Sequence, residues 1–207
     1  MIDLSTSLRV YLVADPHHAR GELRTTVESA LRGGVTMVQL RSKQLSDREL
    51  LESAHIMREL CWRFDVGFLV NDRVDIALAV NADGVHLGVD DLSITAAKEL
   101  GGPDFVVGYS PESDEQLRNA KSLGADYLGV GPVFETTSKL DAGGALGLEE
   151  FHRRVQLGNL PAVGIGGITT ENASSVLGAG AAGVAVIAAV LQANDPESAA
   201  HQLSRNS

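Results

Sequence analysis

The stretch Thr36-Met-Val-Gln-Leu-Arg41-Ser-Lys43-Gln-Leu-Ser46-Asp-Arg-Glu49-Leu50-Leu51 reads as one structural unit. Its first six residues, with Met37, Val38 and Leu40 among them, read as a strand, and strands elsewhere without strict alternation, such as Tyr11-Leu-Val and Val184-Ala-Val-Ile, suit parallel strands covered on their outer faces by helices. Ser46 and Glu49 then stand three apart, as in a capping box, where the hydroxyl takes one orphan N–H and the carboxylate takes another. Leu50, Leu51, Ala54, Met57, Leu60 and Cys61 follow at helical spacing. Strand, short polar loop and helix therefore follow in that order.

Working outward, the same unit recurs until eight strands are counted. They are Arg9–Asp15, Thr36–Arg41, Gly67–Asn71, Gly84–Leu87, Phe105–Ser110, Tyr127–Val130, Ala162–Gly166 and Gly183–Ala188, each followed by a helix candidate. Eight βα units in a chain of 207 residues predict a (β/α)8 TIM barrel, an α/β fold formed as a single domain over residues 1–207. A doubly wound sheet would have fewer strands and a G-x-G-x-x-G loop after the first, which is missing. The longest irregular segment, Gly131–Gly147, is long enough to suggest a function. The helix after the seventh strand is expected to begin near Thr170.

Composition narrows the function. A formal charge of −10 argues against a nucleic-acid surface, while leaving room for a few cations around a small anion. Cys61 is the only cysteine, so neither an intrachain disulfide nor a cysteine zinc site is available, and it reads as a buried small hydrophobe. No apolar run approaches the roughly 18 residues of a membrane helix. Met1 to Ser7 lacks a secretory layout, so a cytoplasmic protein working on small molecules, without nucleic-acid or membrane partners, is expected. Self-association is left open.

In TIM barrels the chemistry gathers where strands end. The second strand ends in Gln39, Leu40, Arg41, Ser42 and Lys43, offering an amide and two cations; a planar guanidinium and a compact ammonium together suit a diphosphate. The third ends in Asn71-Asp72-Arg73, and Asp90 and Asp91 follow the fourth. Magnesium prefers one or two carboxylates with phosphate oxygens and water, so Asp72 and Asp91 are candidate Mg²⁺ ligands. Both also suit helix capping, with Ser93 competing for that role. His86 is set aside, because strand-end histidines usually pack and a hard cation favours oxygen. Ser110 closes the fifth strand, and Thr136, Thr137, Ser138 and Lys139 form a hydroxyl-rich loop after the sixth. Gly166 and Gly167 after the seventh, with Ile187 and Ala188 at the eighth, mark the usual phosphate position of this fold, although glycines there also serve tight packing.

Together, Tyr11-Leu-Val-Ala-Asp15, Val38-Gln-Leu-Arg-Ser-Lys43, Asn71-Asp-Arg-Val-Asp75, Ala82-Asp-Gly-Val-His-Leu-Gly88, Gly131-Pro-Val-Phe134 and Gly164-Ile-Gly-Gly-Ile168 resemble the thiamine phosphate synthases over nearly the whole chain. The resemblance implies that Gln39, Arg41, Lys43, Asn71, Ser110 and Lys139 bind an aminopyrimidine diphosphate, with Asp72 and Asp91 holding Mg²⁺. It implies that Thr136, Ser138, Gly167, Ile187 and Ala188 hold a thiazole phosphate carboxylate. The implied reaction expels diphosphate to leave a resonance-stabilised pyrimidine cation, which the thiazole nitrogen captures with loss of carbon dioxide. Arg41, Lys43, Lys139 and Ser110 are then the catalytic set. The chain departs from the family's pattern at Pro111-Glu112, often Thr-His, at Ser138, usually Thr, and at Ala188, usually Ser. Two alternatives stay open: a thiazole tautomerase-like relative, which would not need the diphosphate residues, and a catalytically silent binding protein.

Overall fold

The computed structural model describes residues 2–138 and 143–205. Eight parallel strands close into a barrel in sequence order: β1 (Val10–Ala14), β2 (Met37–Leu40), β3 (Gly67–Asn71), β4 (Gly84–Leu87), β5 (Val106–Tyr109), β6 (Tyr127–Val130), β7 (Ala162–Ile165) and β8 (Gly183–Val186). Closure is made by β1 against β8, with Tyr11 opposite Ala185. Outside lie α1 (Leu4–Ser7), α2 (Leu23–Arg32), α3 (Asp47–Arg63), α4 (Val74–Ala79) and α5 (Ile94–Gly101). They are followed by α6 (Asp114–Leu123), α7 (Gly147–Gly158), α8 (Ala173–Gly178), α9 (Ala188–Leu191) and α10 (Pro196–Arg205).

Every strand expected from the sequence is present; three agree in both bounds and two more differ only at the C-terminal end. Several strands are shorter at their ends, although the ladder hydrogen bonds continue: Arg41 N–H donates to Ala14 and Ser110 N–H to Leu87. The eighth strand stops two residues early, because Ile187 turns at φ −117°, ψ −83° and Ala188 opens α9. The helix after β7 starts at Ala173, not near Thr170. The Asn172 side chain accepts from Thr169 N–H at 2.8 Å and donates to the Gly167 carbonyl at 3.0 Å, which holds the intervening residues in a loop.

The local signals act as read. Ser46 and Glu49 form both halves of the capping box on α3, and Ser113 with Gln116 repeats it on α6. At the opposite end of the barrel, Asp83 accepts from Phe68 N–H and from Arg58, and Asp126 accepts from Val107 N–H and from Lys98. Each carboxylate thereby ties a strand start to a helix. A cavity of about 630 Å³ lies at this end, lined by residues including Cys61, Trp62 and Asp104. Burial pushes the Cys61 thiol up to about 12, so it stays an unreactive core group.

Candidate active site

Charge gathers where β1 to β4 end. Asp15, almost fully buried, accepts from Arg41 at 2.8 Å and from His17 N–H at 3.0 Å, so the guanidinium is fixed at the mouth by a desolvated partner. Lys43, more than half exposed, donates to Asp72 at 2.5 Å. Asp72 can reach it because the chain turns sharply at the end of β3: its φ is +62°, a left-handed conformation that aspartate tolerates better than bulkier residues. Asp91 lies against the same carboxylate. Burial raises its carboxyl above the ordinary range, and the hydrogen bond and charge of Asp72 raise it further, while Gly88 N–H and Lys43 pull it back.

Capping does not account for these aspartates. Ser93 caps α5 by accepting from Ala96 N–H, and Arg73 stands at the start of α4 without a side-chain cap. Asp91 instead accepts from Gly88 N–H at 2.7 Å. Arg73 is paired with Asp47 and Asp75 at 2.6 Å each. Among the described residues no group of three or more histidine, cysteine, aspartate or glutamate side chains is assembled for a metal. Two adjacent carboxylates on hard oxygen are nevertheless the donor set a magnesium ion takes when phosphate and water complete its shell.

Below this charged rim runs a buried chain of polar side chains. Gln39 Nε2 donates to Tyr11 Oη at 2.6 Å, and Tyr11 Oη lies 2.7 Å from Tyr127 Oη. Tyr127 Oη lies 2.8 Å from His86 Nδ1, and His86 Nε2 lies 2.8 Å from Ser110 Oγ. Gln39 and Ser110 were expected at the site; Tyr11, Tyr127 and His86 were missed or set aside. Strand parity would have found His86, since it shares the inner face of β4 with Gly84.

The remaining expected residues fall as follows. Asn71 ends β3, half-buried, in register with His86. Leu40 is core, and the Ser42 hydroxyl accepts from Gln44 and Leu45 N–H in a local turn. Thr136 and Ser138 are half-buried and joined by Ser138 N–H on Thr136 Oγ1 at 3.2 Å, while Thr137 is exposed. Lys139 lies outside the described residues. Gly166 and Gly167 both have positive φ, and a Cβ on Gly167 would sit 2.5 Å from the Glu135 carbonyl. The loop after β6 is therefore packed onto them, with Phe134 N–H on the Gly166 carbonyl at 3.1 Å. Ile187, just past β8, is buried, and Ala188 is half-buried.

The barrel, with charged and hydrogen-bonded side chains gathered at the C-terminal ends of its strands, has the layout of a TIM-barrel enzyme. A family profile described as thiamine monophosphate synthase matches residues 10–190. A thiamine-phosphate synthase of Coprothermobacter proteolyticus is 44% identical over 201 residues, covering 97% of this chain and 95% of that protein. A thiamine biosynthesis bifunctional protein of Symbiobacterium thermophilum is 49% identical over 177 residues, 86% of this chain but 37% of that longer protein. The solved thiamine phosphate pyrophosphorylase of Pyrococcus furiosus superposes with a TM-score of 0.89 at 41% identity, covering 99% of this chain and 97% of that one. The chain belongs to the thiamine monophosphate synthase family.

Proposed function

We propose that the mouth joins an aminopyrimidine diphosphate to a thiazole phosphate carboxylate, the chain acting as a pyrimidine-transferring thiamine-phosphate synthase. The observation that carries the residue roles is the convergence of Lys43, Asp72 and Asp91, with Arg41 two residues before Lys43 at the same strand end and held by Asp15. Arg41, held by Asp15, offers its remaining N–H groups to phosphate oxygens, and Lys43 adds a mobile point charge. Both oppose the negative charge that grows on diphosphate as it leaves. Asp72 and Asp91 would hold Mg²⁺, which when bound supplies further positive charge to the leaving group. Gln39, Asn71 and Ser110 orient the pyrimidine, and no side-chain nucleophile is required. Thr136, Ser138, Gly167, Ile187 and Ala188 hold the thiazole phosphate on the other side of the mouth, and Lys139 belongs to the same proposal.

A tautomerase-like role would leave the diphosphate residues without a purpose, and their convergence favours synthesis. A cytoplasmic setting belongs to this reading as well; among the described residues no helix is long and apolar enough to cross a membrane. The test is direct: incubate the protein with both substrates and Mg²⁺ and look for thiamine phosphate by mass, with diphosphate released in equal amount. Product without diphosphate release, or no product across a range of pH and Mg²⁺, would overturn it.

A further inference from the structure

We propose that Tyr11, Tyr127 and His86 are positioning residues: they form a one-way hydrogen-bond relay from Gln39 that compels Ser110 to donate to the bound pyrimidine ring. This rests on the proposed reaction for the identity of the ligand, but its geometry belongs to the protein alone.

The barrel is built around this relay. In the strand register His86 lies opposite Gly108, and Gly108 opposite Tyr127. A Cβ on Gly108 would stand 2.2 Å from Tyr127 Cζ, so only glycine lets that ring cross β5 to reach the imidazole. The His86 and Tyr127 ring centroids are consequently 5.5 Å apart. On β6, a Cβ on Gly129 would stand 2.9 Å from Ser110 Oγ and 3.0 Å from His86 Cε1. Two adjacent strands therefore omit a side chain where the relay passes.

Its direction follows from counting protons. Each phenol has one hydrogen to donate. Burial pushes both phenols well above their ordinary range, so they remain neutral donors. Tyr11 receives an N–H from Gln39, and its own proton passes forward to Tyr127. Tyr127 then donates to His86 Nδ1, which puts the imidazole hydrogen on Nε2 and directs it at Ser110 Oγ. The reverse order strands the Tyr11 proton in a buried layer, the costly case for any hydroxyl. Ser110 keeps its own proton for the mouth, while Gln39 keeps its carbonyl. A ring carrying an amino group near a ring nitrogen meets that acceptor and donor in matching sense.

The experiment combines spectroscopy and kinetics. ¹⁵N-histidine NMR of the ligand-free protein, with His86 assigned among the six histidines by its loss in His86→Gln, should show the neutral Nε2–H tautomer. In Tyr127→Phe that tautomer should no longer dominate. The pyrimidine KM of Tyr127→Phe should rise roughly three- to tenfold, the size of a lost neutral hydrogen bond. The thiazole KM should stay within about twofold. On a Ser110→Ala background Tyr127→Phe should add nothing, because the relay acts only through that hydroxyl. An Nδ1–H tautomer, equal changes in both KM values, or additive effects of the two substitutions would overturn the relay. If Tyr127→Phe fails to fold, the tautomer of the unsubstituted protein and the pyrimidine KM of His86→Gln carry the test, that KM rising by the same factor and adding nothing on the Ser110→Ala background. A protein that makes no thiamine phosphate yet shows the tautomer and its loss would sink the reaction and leave the relay standing, to be followed by calorimetric binding of the aminopyrimidine diphosphate.

Discussion

Replacing Asp91 with asparagine should stabilise the metal-free protein while abolishing turnover. Asparagine keeps the shape and the acceptor for Gly88 N–H, so only the charge beside Asp72 is lost. Two carboxylates about 4 Å apart repel by roughly 1 kcal/mol in water and about 4 kcal/mol near a protein surface. Lys43 offsets part of this, and solvent at the partly exposed Asp91 screens more, leaving about 1 kcal/mol. For a chain of this size that corresponds to a rise in Tm of roughly 2–4 °C. The sign depends on pH. A carboxyl raised in the folded state contributes stability in acid and loses it as pH rises through its folded value, so at neutral pH the penalty is in force. The advantage of Asp91→Asn should therefore shrink as pH falls toward the carboxylate range, about 4. Mg²⁺ with inorganic diphosphate, at about a hundred times its Kd, should stabilise the unsubstituted protein by about 2.7 kcal/mol and the variant hardly at all. Thermal melts with and without the two ligands read both effects. A variant that melts lower without metal, or responds to Mg²⁺ as strongly as the parent, would refute the paired-carboxylate argument.

Gly108→Ala should cost about 1–3 kcal/mol by overpacking against Tyr127, whereas Gly144→Ala, with nothing within 4 Å of the added methyl, should leave the melt unchanged. Asp15→Asn should destabilise by about 1.5–3 kcal/mol, the worth of a hydrogen bond to a charged group, and raise the pyrimidine KM by loosening Arg41; chemical denaturation and kinetics check the two parts, and an unchanged KM would show that Asp15 serves folding alone. Ala188→Ser should lower the thiazole KM by roughly a few-fold to tenfold and leave kcat and the pyrimidine KM in place, since the added hydroxyl meets a phosphate that does not react. A thiazole KM that stays put would separate the start of α9 from that phosphate.

The fold was legible because each βα unit announces itself locally. Ser46 and Glu49 mark a helix start within four residues, and the apolar runs mark strands that need no long-range information. The charged rim was legible for a related reason: Arg41, Lys43, Asp72 and Asp91 all sit at strand ends, where the barrel collects its polar groups. The start of α8 falls at Ala173 and not near Thr170, because the Asn172 side chain bonds back to Thr169 and Gly167, a contact that spacing along the chain does not announce. The relay escaped for a deeper reason. Tyr11 and Tyr127 are 116 positions apart, and inside an apolar strand a tyrosine reads as core volume. Only closure of the barrel shows that their hydroxyls meet, and only the register shows that Gly108 is empty for the sake of a ring on the next strand.

If the mouth binds diphosphate as proposed, its ion pairs give an acidic chain a way to keep cations ready for that anion. Arg41 is tied to Asp15, deep in the protein, which uses one of its guanidinium N–H groups and fixes its position. Lys43 is tied to Asp72, a partner that the proposed magnesium site would claim. On the proposed reading, a cation taken up by Asp72 and Asp91 would relieve their repulsion and free Lys43 for phosphate, so metal and diphosphate would each favour the binding of the other, by equal free energies. Under the proposed reaction the two cations would divide the work by burial: the buried pair would fix direction, and the exposed pair would supply a charge released when the leaving group forms.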